Sequence, residues 1–388
     1  MALHLLIHPD GVFEPMPRNP MNIQHATRDF ERWMRSHTSV IESDLTSKHQ
    51  QMRSDLFLFF RGTFYRWAQR WPEICADLKH APKVIAVGDL HVNSFGTWRD
   101  AEGRMAWGVD DFDDSYPLPY TSDLVRLATS LKIVNDLGDL TTKLKTGCEI
   151  ILESYEDALK AEGAPIVLAE HQATMERLGV ESIDPPEDFW EKLNRRPSAN
   201  GDVPADARRV LKGMLPHEIH DYKIVLRKAG LGSLGQKRFV AIAEWDGGCI
   251  AREAKAIVPS SCAWLNGHAG NGHARNGRDA DNNPYYERAI KGAVRAHDPF
   301  QKTIGRWIIR RLSPDSNPVE IACLPKKRDE EVLLHAMGTE AANVHLGTRH
   351  RVKDILRDLR QRKSNWLRTA AKAMAKAIEK DWKDYKNS

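Results

Sequence analysis

Residues 83–96 read KVIAVGDLHVNSFG, a short apolar run that passes into glycine and then into polar side chains. The apolar run is typical of a buried strand, which we predict to end at Gly88. Asp89 and His91 follow at once, so a carboxylate and an imidazole lie at a strand tip over a rigid scaffold. Such a carboxylate can accept a proton from a hydroxyl or bind a metal ion, although an Asp that caps its own turn produces the same pattern.

A second predicted strand, at 105–109, leads into the acidic cluster Asp110–Asp114, which reads DDFDD. Carboxylates so close together repel one another by roughly a kcal/mol per close pair unless a cation offsets them. Mg²⁺ suits such a cluster because it prefers oxygen ligands and bridges phosphates. Asp111 and Asp113 are therefore candidate metal ligands, and a solvated acidic turn is the plain alternative.

A glycine-rich segment, GLGSLG at 230–235, precedes two predicted strands at 238–245 and 249–257 that flank an Asp-Gly-Gly turn. A dinucleotide-binding glycine motif would be followed by a helix. A hairpin at this point is typical of the glycine-rich loop that covers the ATP phosphates in kinases. A flexible turn is the alternative. The candidate nucleotide-binding residues of this segment are Gly230, Gly232, Ser233 and Gly235.

The second strand of the hairpin carries cations of the kind that a kinase uses to hold nucleotide phosphates. Arg252 and Lys255 lie an odd number of positions apart, so in a regular strand they face opposite sides and only one can point at the nucleotide. Both could equally be surface charges on a half-exposed strand. With a base-like Asp, a metal-binding Asp and a glycine loop, however, such a cation completes the set of groups used in phosphoryl transfer.

Four stretches together resemble the uncharacterised bacterial family known as domain of unknown function 2252, over most of the chain from about residue 25 to about residue 350. They are FFRGTFYRW at 59–67, GDLHVNSFGTW at 88–98, WGVDDFDDSYPLPYTSDLVRLATSL at 107–131 and GLGSLG at 230–235. That family is similar to the protein-kinase and aminoglycoside-phosphotransferase fold, with its motifs in a permuted order. The resemblance implies an α+β, two-lobed, kinase-like fold with a helix-rich larger lobe and a small antiparallel-sheet lobe.

The resemblance also implies roles for single residues. Asp89 matches the catalytic base, Asp111 the metal ligand, and Asp123 a buried Asp that supports the catalytic loop. The expected function is an ATP- and Mg²⁺-dependent phosphotransferase. A small-molecule hydroxyl is the expected acceptor, by analogy with aminoglycoside and choline kinases.

The chain departs from the family pattern at two places. The family usually reads G-D-x-H-x-x-N-F-G, whereas this chain has Ser94 at the Asn position and Asn93 one position earlier. Either residue could bind the metal. The family usually has Lys-Glu-Ala where this chain has Arg252-Glu253-Ala254, and Arg for Lys is not a neutral exchange. A nucleotide-binding pseudokinase or sensor without turnover is therefore an alternative function.

A metallophosphoesterase is the second alternative. VIAVGDLHVN looks like the first metal motif of the calcineurin-like enzymes, with Asp89 and His91 as ligands of a two-metal site. That family also needs a G-D-x-x-D, a G-N-H-E and a late His-x-His, and none of these occurs in the sequence. The kinase-like interpretation is therefore favoured.

Composition limits the remaining choices. The 388 residues are 41% hydrophobic and 28% charged, which is typical of globular proteins and excludes collagen-like and wholly disordered chains. The order of motifs predicts four segments. They are a helical, catalytic-loop lobe at 1–180, a linker or flexible loop at 181–216, a glycine-loop and hairpin lobe at 217–325, and C-terminal helices at 326–388.

Cysteine usage and charge suggest a location and partners. The five Cys are scattered without a C-x-x-C, which favours a reducing cytoplasm. No apolar run reaches the ~18–20 residues of a membrane helix. Residues 349–388 carry 13 Lys and Arg against 5 Asp and Glu. A packed helix with a solvated basic face is the favoured interpretation of this end, and binding to an anionic partner is the alternative.

Overall fold

The computed structural model describes residues 22–168, 185–199, 201–269, 283–316 and 327–387. Over these ranges the protein is α+β, with helices around small antiparallel sheets. The helices are α1 (Ile23–His37), α2 (Glu42–Ser54), α3 (Leu56–Gly62), α4 (Phe64–Ile74), α5 (Tyr120–Leu137), α6 (Leu144–Lys160), α7 (Pro186–Asn194), α8 (Ala205–Gly213), α9 (Ser261–Ala269), α10 (Pro284–Gly292), α11 (Lys327–His345), α12 (Val352–Gln361) and α13 (Trp366–Lys386). The strands are β1 (Lys83–Ala86), β2 (Phe95–Arg99), β3 (Met105–Val109), β4 (Tyr116–Pro119), β5 (Ile166–Val167), β6 (Lys223–Leu226), β7 (Arg238–Trp245), β8 (Gly248–Ala256), β9 (Lys302–Ile304) and β10 (Trp307–Leu312).

The larger hydrophobic core is built around α5, which is buried on nearly all sides. Helices α3, α6 and α13 and strand β1 pack against it, and α11 packs along α6. Strand β1 pairs with β4, and β2, β3 and β5 form a second small sheet. The helices after residue 326 therefore share one core with residues 23–160.

A smaller core lies on a five-stranded antiparallel sheet of order β6-β7-β8-β10-β9. Leu211 of α8 belongs to the same hydrophobic cluster as Phe239 and Ile309 of this sheet. The predicted hairpin of β7 and β8 is present. Its turn places Asp246 at φ 46° and Gly247 at φ 82°, and two successive positive φ values are typical of the type I′ turns that suit the twist of paired strands.

The segment at 181–216, expected as a linker or loop, contains two helices in its described part. Helix α7 starts at Pro186, and Pro204 immediately precedes α8. The prolines that suggested a loop mark helix starts instead, where a missing N–H costs no hydrogen bond. The helix predicted at 284–298 ends at Gly292. Most of the predicted loop at 265–283 lies outside the described residues.

The C-terminal helix α13 buries Leu367, Met374 and Ile378, while its lysines face solvent. Its basic character is thus that of the outer face of a packed helix. Among the helices in the described ranges, none is long and apolar enough to span a bilayer.

Candidate functional site

A cavity of about 330 Å³ lies where the two cores meet. It is lined by the loop after β1, the acidic cluster after β3 and the glycine loop between β6 and β7. Helix α3, strands β2 and β10 and residues 295–301 also contribute to its walls. The predicted site residues that line it are Asp89, His91, Asn93, Ser94, Asp111, Asp113, Gly230, Gly232 and Ser233. Folding therefore brings the three sequence motifs to one place.

The tip of the glycine loop reaches Asp89. A Cβ added at Gly232 would lie 3.8 Å from Oδ2 of Asp89 and 3.6 Å from the carbonyl oxygen of Arg61. Gly235 has a different role from the one expected, because it lies against Leu45 and outside the cavity at a φ of 97°. The left-handed backbone at Gly235 ends the loop, and its carbonyl accepts a hydrogen bond of 2.8 Å from the N–H of Ile41.

A buried lysine on α2 holds the glycine loop. Nζ of Lys48 donates a hydrogen bond of 2.7 Å to the carbonyl oxygen of Gly232. Burial lowers the pKa of Lys48, while Glu31, Asp114 and Asp89 act in the opposite direction. The tip of the glycine loop is thus held by a side chain that no sequence motif had singled out.

Lys48→Met is expected to loosen the loop without emptying the space that Lys48 fills. A hydrogen bond from a charged donor contributes about 1.5–3 kcal/mol, so its loss should make loop opening at least about tenfold more frequent. Amide hydrogen exchange of residues 230–236 measures this opening. Lys372→Met on the exposed face of α13 is the control. Equal exchange rates in the two variants would show that Lys48 does not hold the glycine loop in place.

Asp89 is oriented by a fully buried arginine. Nε of Arg126 donates a hydrogen bond of 2.7 Å to Oδ1 of Asp89, and its guanidinium carbon lies 4.0 Å from the centre of the Phe60 ring. Burial raises the pKa of Asp89, and Arg126 opposes that shift. Since Arg126 occupies Oδ1, the other carboxylate oxygen is left on the side of the glycine loop.

The strand end that precedes Asp89 is fixed by Asp123, which is fully buried in α5. Its carboxylate accepts hydrogen bonds from the backbone N–H groups of Val87 at 2.7 Å and Gly88 at 3.0 Å. His345 of α11 lies 3.1 Å away through Nε2, and its Nδ1 is 2.8 Å from the hydroxyl of Tyr155. The sequence offered no signal for His345, which lies far along the chain.

The loop after Asp89 is closed by its own side chains. Oγ of Ser94 donates to the carbonyl oxygen of Asp89 at 2.9 Å and accepts from the N–H of His91 at 3.0 Å. Nδ1 of His91 accepts from the N–H of Asn93 at 3.2 Å, so the neutral ring carries its proton on Nε2. The side-chain amide of Asn93 makes no hydrogen bond to any described residue. Of the two residues at the departure from the family pattern, Asn93 is therefore the freer one.

The carboxylates of the acidic cluster differ in their partners and in their exposure to solvent. Asp113 forms an ion pair with Lys255, and Oδ1 of Asp114 accepts a hydrogen bond of 2.7 Å from the N–H of Ser261. Burial raises the pKa of Asp110 and of Asp114 to about 6. Asp111 is the exposed member. Over the described residues, no group of three or more His, Cys, Asp or Glu side chains is arranged to hold a metal ion.

Strand alternation decides between the two candidate cations on β8. Lys255 faces the acidic cluster, where it pairs with Asp113. Arg252 faces the other side, donates from Nε to the carbonyl oxygen of Met214 at 3.1 Å and stacks 3.9 Å from the centre of the Phe300 ring. The expectation that Arg252 binds nucleotide in this cavity is therefore wrong, because the pleat directs its side chain away.

Three arginines that sequence reasoning missed surround Glu253, which is fully buried on β8. Oxygen atoms of Glu253 lie 2.8 Å from Arg227, 3.3 Å from Arg238 and 2.7 Å from Arg310. Although burial alone would raise it, these charges hold the pKa of Glu253 well below its ordinary value. All three arginines line the cavity, so one buried carboxylate fixes a cluster with an excess of positive charge.

Comparison with known proteins identifies part of the chain. Residues 40–185 match the family DUF2252, described as an uncharacterized protein conserved in bacteria. The resemblance expected from the motifs is confirmed over that stretch, which contains Asp89, Asp111 and Asp123 but not the glycine loop. No curated protein and no solved structure matches the chain.

Proposed function

We propose that the protein is a kinase-like phosphotransferase that moves the γ-phosphoryl group of ATP to a hydroxyl of a small molecule. The observation that carries the proposal is the meeting of Gly232 with Asp89 in a cavity that Asp111 also lines. A glycine loop, a carboxylate fit to act as base and an open carboxylate fit to bind a metal are the parts that phosphoryl transfer requires. A small antiparallel sheet beside a helix-rich core, with the cavity where they meet, agrees with a permuted two-lobed kinase.

The nucleotide phosphates are assigned to the positive wall of the cavity. Arg227, Arg238 and Arg310 are held in place by Glu253 before any ligand arrives. Lys255, which was also expected to bind nucleotide, does not line this cavity, and its charge is paired with Asp113 of the acidic cluster. Donors that need no reorganisation at the moment of reaction stabilise developing charge more than mobile ones.

Asp89 is assigned as the base. The acceptor oxygen forms a bond to the γ-phosphorus, and the bond from that phosphorus to the bridging oxygen breaks with its electron pair remaining on ADP. The proton of the acceptor hydroxyl passes to Oδ2 of Asp89. Arg126 holds Oδ1 throughout, so the free carboxylate oxygen keeps one direction, and such positioning supplies most of the rate enhancement in this chemistry.

The donor set fits Mg²⁺ if substrate phosphates supply part of its coordination. Asp111, whose Oδ1 accepts a hydrogen bond of 3.2 Å from the N–H of Asp113, and the amide of Asn93 line the same cavity. Asp113 is paired with Lys255, and Ser94 is held in its turn. Mg²⁺ is commonly bound by one or two carboxylates together with phosphate oxygens and waters. When bound, it would offset the charge of the β- and γ-phosphates.

Nucleotide binding without turnover is the second candidate. The observation that favours it is the hydroxyl of Ser94, which is committed to the backbone of Asp89 and His91 where the family has an Asn. Incubation with Mg·ATP and a panel of small hydroxyl compounds separates the candidates. ADP production supports the phosphotransferase, whereas thermal stabilisation by Mg·ATP with no ADP supports the sensor.

Asp111→Asn is expected to remove the Mg²⁺ dependence of ATP binding, because a neutral amide is a much weaker ligand for a hard cation than a carboxylate. Calorimetric titration with ATP, with and without Mg²⁺, measures this dependence. Asp136→Asn, in an exposed pair with Lys132, is the matched control. If the Asp111→Asn protein binds Mg·ATP with the same affinity as the control, the acidic cluster is a solvated turn and not a metal site.

A further inference from the structure

Arg61 lies at the end of α3, within the FFRGTFYRW stretch, and lines the same cavity as Asp89. Its position is set by the packing of α3 on α2. A Cβ added at the next residue, Gly62, would meet Sδ of Met52 at 2.6 Å, so the side chain of Met52 packs directly over this glycine. At this end of α3, the side chain of Arg61 lies at the cavity.

Arg61 differs from the other arginines of the cavity. Arg227, Arg238 and Arg310 bind Glu253, while Arg295 donates to the carbonyl oxygen of Val109 and Arg311 pairs with Asp298. Arg61 makes no side-chain hydrogen bond or ion pair with any residue of the described ranges. Its Nε is enclosed by protein, and the remaining two nitrogens are left open.

Arg61 and the proposed base line the same cavity, and a Cβ added at Gly232 would lie 3.6 Å from the carbonyl oxygen of Arg61 and 3.8 Å from Oδ2 of Asp89. Burial and Arg126 act most strongly on the pKa of Asp89, and the positive charge of Arg61 also lowers it. It likewise contributes, after burial, to lowering the pKa of His91. The two arginines therefore differ, because Arg126 is hydrogen-bonded to the carboxylate of Asp89, whereas Arg61 has no hydrogen-bond or ion-pair partner among the described residues.

We propose that Arg61 is a catalytic residue that contacts the phosphoryl group during its transfer, with its two open nitrogens directed at the oxygens of that group. This inference rests on the proposed function. The transferring group carries its charge on its equatorial oxygens, and a planar guanidinium can donate to two such oxygens at once. Arg126 orients the base, and Arg61 stabilises the charge that the base alone cannot offset.

The test compares wild type with Arg61→Ala, Arg61→Lys and the control Arg357→Ala, which removes an exposed arginine of α12. Three quantities are measured: ADP production, the dissociation constant for Mg·ATP, and the dissociation constant for Mg·ADP with aluminium fluoride, which mimics the transferring group. Arg61→Ala should lower ADP production by about 10³-fold. It should weaken aluminium fluoride binding strongly and Mg·ATP binding little. Added guanidinium should partly restore the Ala variant.

The possible outcomes distinguish failure of the Arg61 assignment from failure of the proposed function on which it rests. A wild type that does not bind Mg·ATP overturns both. A wild type that produces ADP, with Arg61→Ala at the same rate, overturns only the role of Arg61. Equal weakening of Mg·ATP and of the aluminium fluoride complex also overturns it, because Arg61 would then bind the ground state and the transferring group equally and would not favour the transfer. If wild type binds without turnover, selective loss of aluminium fluoride binding in Arg61→Ala supports the assignment.

Discussion

Asp89→Asn is expected to lower ADP production from Mg·ATP by about 10²–10⁴-fold, the contribution typical of a positioned general base. The amide oxygen of Asn can still accept the hydrogen bond from Arg126, but the side chain can no longer take a proton. Binding of Mg·ATP should change little, because Asp89 is assigned to the acceptor side of the reaction. A coupled ADP assay and a calorimetric titration measure the two quantities.

The choice of Asn rather than Ala keeps this experiment interpretable. Asp89→Ala would leave the fully buried guanidinium of Arg126 without its partner, and breaking a buried pair costs about 3–5 kcal/mol. Asp136→Asn again serves as control. If wild type turns over ATP and Asp89→Asn does so at the same rate, Asp89 is only a structural partner of Arg126, and the proposed mechanism is overturned.

Glu253→Ala is expected to have the largest effect on stability, lowering the free energy of unfolding by about 3–5 kcal/mol. The substitution leaves Arg227, Arg238 and Arg310 facing one another around a buried gap, with no negative charge between them. Unfolding in urea, followed by circular dichroism, measures the change. The same variant should bind Mg·ATP more weakly, because the arginines lose the carboxylate that fixes their positions.

Two further variants sharpen the result. Glu253→Gln keeps the shape and one acceptor oxygen but removes the charge and replaces the other acceptor by an NH2 donor, so its stability should fall between wild type and Glu253→Ala. Glu244→Ala, at an exposed position on β7, should leave stability within about 0.5 kcal/mol of wild type. Equal unfolding curves for Glu253→Ala and Glu244→Ala would show that the arginine cluster does not depend on Glu253.

Much of the fold could be predicted because its signals are local. The apolar run at 83–87 forms β1, and the Asp-Gly-Gly turn forms the hairpin of β7 and β8, since strand period and turn chemistry depend on neighbouring residues alone. The same reasoning failed at 181–216. A proline before a helix and a proline in a loop look alike until the apolar face of the helix finds a partner, as α8 does on the sheet.

By itself, the sequence determined which motifs exist: an Asp at a strand tip, an acidic cluster after a strand and a glycine loop before a hairpin. Only the tertiary structure decided which side chains complete them. The register of β8 directs Lys255 to Asp113 and Arg252 away, and packing brings Lys48, Arg61 and His345 to loops far from them in the chain. The physical reason is that a motif is made by neighbours along the chain, whereas the charges that orient it come from whatever the core brings into contact.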